Sequence, residues 1–240
     1  MNFIKGTSTL LLRLILLAVI VTACTPLTPP SSSDPTRPID PDPMEHLQTI
    51  TLPEPGLIGT VTLEETLQLR RSVRQFQDTP LTDAQIGQLL WAAQGITHPS
   101  GLRTAPSAGA LYPLEFYAAT QDGLFHYRPH SHSLERVLED DPRPALHQAA
   151  LRQNAVLEAP LVIVISAVFE RTAQKYGDAR TPQYVYLEAG HAAQNILLQA
   201  VALELGAVPI GAFYEDQIIQ ALSLPADQVP LYLIPVGQPK

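Results

Sequence analysis

An α+β domain with one small central mixed sheet flanked by helices is the fold class that this sequence predicts, on three observations. Residues 160–165 form an apolar run rich in β-branched side chains, which is typical of a strand buried on both faces. Residues 184–205 form the longest helical pattern and are apolar on most sides, which indicates a helix in the core or at a subunit interface. Shorter helix and strand patterns surround these two segments without an internal repeat.

The chain begins with a pattern typical of a secretory signal. Lys5 and Arg13 supply positive charge, residues 14–21 are apolar, and small residues lead to Cys24, the sole cysteine. The apolar run is shorter than the roughly 20 residues that a membrane-spanning helix needs. The pattern resembles a bacterial lipobox, in which Cys24 is lipidated and becomes the mature N-terminus, although Val21 stands where leucine is usual. An ordinary signal peptide with an incidental cysteine is the alternative.

Composition divides the chain into a signal (residues 1–24), a tether (25–43) and a folded domain (44–240). The tether contains seven prolines and almost nothing apolar, so it cannot bury a core. We therefore expect an exported protein, periplasmic or on the outer cell surface, which contacts the membrane through its lipid anchor alone. The domain has no cysteine, which excludes disulfides and thiolate-bound metal. The net charge of −8 and the lack of a basic run argue against nucleic-acid binding.

The elements of the domain follow from capping, periodicity and turn signals. Capping boxes at residues 62–65 and 82–85 predict two helices, of which the second ends near Gly95. Residues 96–113 lack periodicity and contain prolines and glycines, so they predict a long loop, which is usually functional or disordered. Strands are predicted at 114–120, 124–127, 207–212 and 231–236, and helices at 144–154 and 216–222.

Two short stretches indicate a cofactor that carries a phosphate and a flat ring. Residues 70–74 contain three arginines and a serine at the end of the first predicted helix, where a helical turn would gather the arginines on neighbouring faces. Guanidinium groups match phosphate oxygens in geometry and stay charged. Residues 106–113 form a small-residue loop closed by proline, where a backbone can approach a flat ligand closely. Solvated surface arginines and an ordinary turn are the alternative.

Four blocks in this order resemble the FMN-dependent nitroreductase superfamily and, within it, the SagB-type dehydrogenase branch. The blocks are residues 70–76, 106–113, 187–195 and 206–213, and the resemblance covers about residues 63–237. It implies a nitroreductase-like fold, FMN as cofactor, and an obligate homodimer with two shared flavin sites.

The resemblance also implies a role for each matching residue. The ribityl phosphate would be bound by Arg70, Arg71, Ser72 and Arg74. The flavin ring would be touched by Pro106, Ser107, Ala108 and Gly109 of the partner subunit, and the backbone N–H groups of Gly211 and Ala212 would lie near flavin N5. Without the resemblance, residues 208–213 would be only a core strand with a glycine bulge.

Two positions depart from the wider family. Ala110 stands where classical nitroreductases often have asparagine, which fits the SagB-type branch and removes one hydrogen bond to the flavin. Many relatives hold the phosphate with a basic residue near the C-terminus. This sequence stops at Lys240, which is a poor candidate for that role, so the phosphate is expected to be held less strongly.

Two further pairs of residues carry possible chemistry. SagB-type azoline dehydrogenases use a lysine–tyrosine pair for proton removal, which by resemblance falls on Lys175 and Tyr176; a surface loop with two ordinary polar residues is the alternative. Glu188 and His191 form an E-x-x-H pair on the long helix, but a di-iron site needs a second pair and two more carboxylates. We therefore expect no metal, and we expect His191 to be a core histidine with its hydrogen bonds satisfied.

The sequence thus predicts an FMN-dependent oxidoreductase that transfers a hydride to or from the flavin. No dinucleotide-binding fingerprint of the G-x-G-x-x-G kind is present, so NAD(P)H would bind only transiently. Because export removes the enzyme from the cytoplasmic NAD(P)H pool, we expect a dehydrogenase that passes electrons to oxygen or a membrane acceptor. Its substrate would be a small molecule or a peptide. The alternatives are an azoline dehydrogenase of modified-peptide biosynthesis and a lipid-anchored binding protein that kept the fold and lost the flavin.

Overall fold

A seven-stranded sheet organises the part of the chain that the structure, a computed structural model, describes, Gln48–Lys240. Its strands are β1 (Thr49–Thr51), β2 (Leu114–Thr120), β3 (Gly123–Arg128), β4 (Ser133–Leu138), β5 (Leu161–Val168), β6 (Gly206–Ala207) and β7 (Gln228–Gly237). They lie in the order β1-β4-β3-β2-β5-β7-β6, and every ladder between them is antiparallel. Parallel pairing occurs at a single bridge between Ser72 and Ala207.

Helices cover both faces of this sheet. They are α1 (Leu63–Leu69), α2 (Asp83–Gln94), α3 (Arg143–Ala149), α4 (Asn154–Glu158), α5 (Phe169–Tyr176), α6 (Thr181–Ala202) and α7 (Glu215–Leu222). Helices α1 and α2 each begin with a complete capping box, at Thr62 and Thr82, as predicted. The predicted α+β fold class is confirmed, but the sheet is larger than predicted, and its ladders are antiparallel rather than mixed.

Strand β5 lies at the centre of the core because its side chains are apolar on both faces. Ile163 and Ile165 pack in a cluster with buried residues of α2 and α6. Val162 and Val164 point to the other face, where they pack with buried residues of α3, α4 and α7. All eight residues of β5 are buried, so the prediction of a doubly covered strand is confirmed.

The predicted strand over residues 207–212 is wrong beyond its first residue. Strand β6 ends at Ala207, and Pro209 has no N–H group with which to continue a ladder. Beyond the proline, Ile210 pairs with Leu233 as an isolated bridge. The chain then leaves the sheet, so residues 211–213 form a loop rather than a strand end.

The predicted signal, the lipidation of Cys24 and the tether all fall within residues 1–47, outside the residues that the structure describes. Between Gln48 and Lys240, no helix combines the length and apolar character that crossing a membrane requires.

Candidate functional site

The arginine-rich segment is extended and does not form the helical turn that the sequence suggested. Helix α1 ends at Leu69, and Arg70 takes non-helical angles of φ −53° and ψ 120°. The backbone N–H of Val73 donates to the Ala207 carbonyl oxygen at 3.1 Å, and Phe76 bridges to Pro239. Pairing with the sheet edge and burial of Phe76, which is 1% exposed, outweigh continuation of the helix.

The guanidinium groups of this segment remain available to an anion. Arg71 donates to the carbonyl oxygens of Gln68 and Arg70 at 2.9 and 2.7 Å, so it also caps the end of α1. Arg74 makes one long contact, 3.5 Å, to the Ser72 carbonyl oxygen. Among residues 48–240, neither Arg70, Arg71 nor Arg74 forms an ion pair. The hydroxyl-bearing Ser72 lies exposed between them.

Residues 238–240 run beside this segment. The backbone N–H of Lys240 donates to the Gln75 carbonyl oxygen at 3.2 Å, and its side chain pairs with Glu158, also at 3.2 Å. The ammonium group of Lys240 therefore already has an anionic partner.

The small-residue loop and the lysine–tyrosine pair, 66 residues apart in sequence, lie in direct contact. A Cβ built on Gly109 would lie 2.9 Å from Lys175 Nζ and 3.1 Å from Tyr176 Oη. Both side chains belong to the last turn of α5, which is capped by Gly177 with φ +70°. They are therefore not residues of a surface loop, although Lys175 is exposed in the single chain.

The loop has a strained backbone. Residues Ala108–Ala110 make one 3₁₀ turn, and Gly109, Ala110 and Tyr112 have φ of 65°, 55° and 47°. The left-handed region is free for glycine but costs an alanine or tyrosine roughly 1 kcal/mol or more. The Ser107 hydroxyl accepts a hydrogen bond from the Tyr112 N–H at 2.9 Å, which closes the loop on itself.

Two arginines that no sequence motif marks as functional hold Tyr112 in place. Arg103 lies 4.4 Å over the Tyr112 ring, and Arg171 donates to the Tyr112 carbonyl oxygen at 3.1 Å. Arg171 also pairs with Glu115, whose other oxygen lies 2.7 Å from His126 Nε2. Burial raises the pKa of Glu115, but the hydrogen bonds from His126 and Arg171 outweigh it and hold that pKa below its ordinary value.

A buried carboxyl group lies beneath the other end of the loop. Glu188 of α6 is 2% exposed and accepts a hydrogen bond from Gln94 Nε2 of α2 at 3.0 Å. Burial raises its pKa to about 7, and the Ser107 hydroxyl, the Gln94 amide and the charge of Arg103 offset that rise only in part. Burial also disfavours the charged form of Arg103, and it therefore lowers the pKa of that side chain.

His191 is exposed, so the expectation of a core histidine is wrong. It lies three residues beyond Glu188, just outside the buried face of α6, which continues through Ala189 and Ala192. Within residues 48–240, no group of three or more His, Cys, Asp or Glu side chains is arranged to hold a metal ion.

Gly211 and Ala212 offer free backbone donors at the surface. Both are exposed, and the residues just before them are fixed by paired hydrogen bonds between Ile210 and Leu233 at 2.8 and 3.0 Å. The Ala212 carbonyl oxygen accepts from Gln153 Nε2 at 3.1 Å. Among the described residues, the N–H groups of Gly211 and Ala212 have no partner.

Within one chain, the arginine segment and the Gly109 loop stay separate. No hydrogen bond or ion pair in the described part of the chain joins residues 70–74 to residues 106–109, Lys175 or Tyr176. The structure thus brings the loop together with Lys175 and Tyr176. The arginine segment, which is the candidate for phosphate binding, lies elsewhere, beside the edge strand β6.

Comparison with known proteins identifies the class of α+β proteins that has this antiparallel sheet and this site. The chain belongs to the nitroreductase family, whose model, described as "Nitroreductase family", matches residues 67–238. A nitroreductase-family protein of Methanocaldococcus jannaschii is 43% identical over 201 residues, which cover 81% of this chain and 98% of that protein.

Solved structures agree with this assignment. A nitroreductase-family protein of Ralstonia eutropha JMP134 superimposes with a TM-score of 0.74 at 34% identity, over 80% of this chain and 90% of that one. The NADPH:FMN oxidoreductase of Vibrio harveyi, solved with NAD⁺, shares the fold with a TM-score of 0.57 at 24% identity, over 74% and 69% of the two chains.

Proposed function

We propose that this protein is an FMN-dependent oxidoreductase of the SagB-type dehydrogenase branch and that it acts as a homodimer. One observation carries the proposal: the Gly109 loop lies directly against Lys175 and Tyr176, which puts a flat-ligand surface beside two groups able to handle a proton. Membership of the nitroreductase family supports it, and so does the fold shared with the Vibrio harveyi oxidoreductase.

The residues present fit the phosphate of FMN. Three guanidinium groups in five residues have no ion pair within the described chain, and each is a planar group that can donate two parallel hydrogen bonds to phosphate oxygens. Arg70, Ser72 and Arg74 would hold the phosphate, and Arg71 would add its charge from the end of α1.

The residues also fit a flavin ring. Residues 106–109 offer a small-residue surface, and Gly109 leaves room that any side chain would fill. The unpartnered N–H groups of Gly211 and Ala212 would stabilise negative charge that develops near N5, since fixed donors need no reorganisation.

Lys175 and Tyr176 would handle the proton that accompanies hydride transfer. Acceptance of a hydride from the substrate is the chemistry that FMN would supply at this site. Either Lys175 Nζ or Tyr176 Oη would take the proton that the substrate loses, so that two electrons and two hydrogens are accounted for. Tyr184 packs against Tyr176 with ring centres 4.6 Å apart and limits where that hydroxyl points.

A second copy of the chain would complete each flavin site. Helix α1 buries only Thr66 and leaves Leu63, Leu67 and Leu69 between 54% and 61% exposed. Covering a leucine side chain contributes about 1.5–3 kcal/mol, so this helix favours a partner. The Gly109 loop of one subunit, with its own Lys175, would then act on the flavin held by the partner's arginine segment.

The N-terminal residues support a proposed location. Lipidation at Cys24 would anchor the exported domain at the periplasmic or outer face of a membrane, on the tether of residues 25–43. In that compartment, the enzyme would pass electrons from its substrate, a small molecule or a peptide, to oxygen or to a membrane acceptor.

An absorption spectrum of the full chain, extracted in mild detergent, tests the cofactor. We expect the absorption bands of oxidised flavin, at an intensity that corresponds to about one FMN per chain, and we expect FMN to be released on denaturation. The variant Arg74→Gln should lose most of the bound flavin, whereas Arg152→Gln, an exposed arginine elsewhere, should keep it. A colourless dimer that takes up no added FMN would overturn the proposal in favour of a binding protein.

The electron donor needs a separate experiment. Anaerobic reduction of the bound flavin would be followed with NADPH and with candidate donors that lack a nicotinamide. Rapid reduction by NADPH alone would contradict the dehydrogenase direction, and oxidation of a thiazoline or oxazoline peptide would assign azoline dehydrogenase activity.

A further inference from the structure

Tyr112 ends the loop of residues 106–112 in a strained conformation, and its polar groups are all held. Its φ is 47°, and a tyrosine keeps such an angle only where its surroundings fix it. The Tyr112 N–H donates to the Ser107 hydroxyl at 2.9 Å, and the Tyr112 hydroxyl accepts from the Arg103 N–H at 3.2 Å. Both contacts come from residues close in sequence, so they shape the loop without tying it to the helix that carries Lys175.

The third polar group of Tyr112, its carbonyl oxygen, is held from that helix, α5. Arg171 Nη1 donates to this oxygen at 3.1 Å, from 59 residues away in sequence. The next carbonyl oxygen, that of Pro113, accepts from the Val168 N–H at 2.9 Å, so the chain beyond Tyr112 is already fixed to the end of β5. Arg171 therefore acts at the peptide where the loop leaves the sheet.

Arg171 and Lys175 lie on the same face of α5. They are four residues apart, which places their side chains one above the other along a helix. Lys175 Nζ lies against Gly109 in the middle of the loop, and Arg171 holds the end of the loop at Tyr112. One helix face thus meets the loop at two points, and the arginine sets the distance at which the lysine meets it.

Glu115 of β2 gives the Arg171 side chain a fixed anchor. Arg171 Nη2 donates to Glu115 Oε1, and Glu115 Oε2 lies 2.7 Å from His126 Nε2 of β3. The His126 ring in turn stacks on the Tyr117 ring, with ring centres 4.5 Å apart. The Glu115 side chain is 14% exposed and that of Arg171 is 41% exposed. A half-exposed arginine that would otherwise turn freely in solvent is thus directed by a carboxylate held on the sheet.

The planar shape of guanidinium suits this bridge. Its nitrogens are fixed in one plane, so Arg171 can donate to a carboxylate and to a carbonyl oxygen at the same time. Hydrogen bonds from a charged donor are stronger than neutral ones, which favours the strained loop over more open conformations. A glutamine at this position would lack both the charge and the second donor nitrogen.

We propose that Arg171 is a positioning residue of the candidate site: anchored on Glu115, it holds the Tyr112 carbonyl group and so sets the loop of residues 106–112 against Lys175. Its meaning for the flavin rests on the proposed function, in which this loop meets the flavin ring. The bridge itself belongs to the folded chain and is tested without a cofactor.

Hydrogen exchange at the Tyr112 amide, in the full chain without flavin, tests the bridge. Arg171→Gln should exchange there about fivefold faster than wild type or more, because the loop opens more often once its carbonyl contact is lost. Glu115→Ala should have the same effect, since it removes the anchor. The double variant should exchange no faster than Arg171→Gln alone, because both changes break one bridge.

Arg143→Gln is the matched control. Arg143 also bridges a carboxylate and a backbone carbonyl oxygen, those of Asp141 at 2.8 Å and Ala159 at 2.9 Å, but it belongs to α3. Its loss should destabilise the protein in a comparable way while the Tyr112 amide exchanges as in wild type. The control thus separates a local effect on the loop from a general loss of stability.

The exchange rates decide the positioning role. An increase at Tyr112 in Arg171→Gln that is no larger than in Arg143→Gln would overturn it. Effects of Arg171→Gln and Glu115→Ala that multiply in the double variant would overturn the role of Glu115 as anchor. Should Arg171→Gln not fold, Arg171→Lys, which keeps the charge but not the planar group, must exchange faster at Tyr112, and exchange at the wild-type rate would overturn the proposal equally.

The visible circular dichroism of bound FMN tests what the bridge does at the flavin. This signal reports on the surroundings of the ring, so Arg171→Gln should shift it, whereas Arg143→Gln should leave it as in wild type. An unchanged spectrum in Arg171→Gln would overturn the role at the flavin. A wild-type chain that binds no FMN refutes the proposed function instead, and the exchange result at Tyr112 then still decides the bridge.

Discussion

Replacing Glu188 by glutamine should change how the stability of the protein depends on pH. The pKa of this side chain rises from an ordinary 4.5 to about 7 in the folded protein because the group is buried. Each pKa unit corresponds to about 1.4 kcal/mol, so the ionised form lowers the free energy of unfolding by about 3 kcal/mol.

The direction follows from proton binding. Between the unfolded and folded pKa values, the folded protein binds more protons than the unfolded chain at this site. The free energy of unfolding is therefore highest, as far as Glu188 is concerned, below about pH 4.5, falls as pH rises, and levels off above about pH 7. Glu115 acts in the opposite sense, since its lowered pKa contributes stability that is lost in acid.

Urea unfolding of wild type and Glu188→Gln, at steps between about pH 5 and about pH 8, measures this effect. Other groups titrate equally in both proteins, so the difference between the two free energies isolates Glu188. We expect the glutamine variant to gain about 2–3 kcal/mol relative to wild type across this range. A difference that stays constant within about 0.5 kcal/mol would show that Glu188 is ionised in the folded protein throughout, and the reasoning would fail.

The remaining predictions concern the loop and the arginine segment. Gly109→Ala should lower the melting temperature and slow turnover, because its φ is +65° and the new methyl group would meet Lys175 Nζ at 2.9 Å; unchanged melting and turnover would contradict this. Ala110→Gly should instead add about 0.5–1 kcal/mol in the same unfolding assay, since its φ of 55° suits glycine. Arg171→Gln should cost about 1–2 kcal/mol, because it removes one of the two partners of the largely buried Glu115 and leaves it with His126 alone. Arg74→Gln should weaken FMN binding at least about tenfold and reduce its salt dependence, as titration by flavin fluorescence would show.

The parts of the fold that sequence predicted are those whose pattern is local. Strand β2 begins and ends at the predicted residues, because a proline precedes it and a turn follows it. Helix α5 was missed because its residues are mostly polar and its start has no side-chain cap. Strand β4 was missed for a related reason: Glu135 and Arg136 interrupt its apolar pattern, and pairing with β1 and β3 decides its structure.

The candidate site divides in the same way. Residue type marked the arginine segment and the Gly109 loop as chemically capable, and the family resemblance marked Lys175. Their conformation depended on partners far away in sequence, so the helical turn assigned to residues 70–74 was wrong once Ala207 and Pro239 proved to pair with that segment. Arg171 lies one helical turn before Lys175, a signal that was present but required α5 to be recognised first.

The two halves of the candidate site are anchored independently, and this separation has a consequence for specificity. The arginine segment is fixed by β6 and by residues 238–240, whereas the loop is closed by the hydrogen bond between Ser107 and Tyr112 and is held at Tyr112 by Arg171. Substitutions along α5 can therefore alter the surface around Lys175 without disturbing the residues proposed to hold the phosphate. Changes of substrate should accordingly map to α5 and the loop, while FMN affinity should follow the arginine segment.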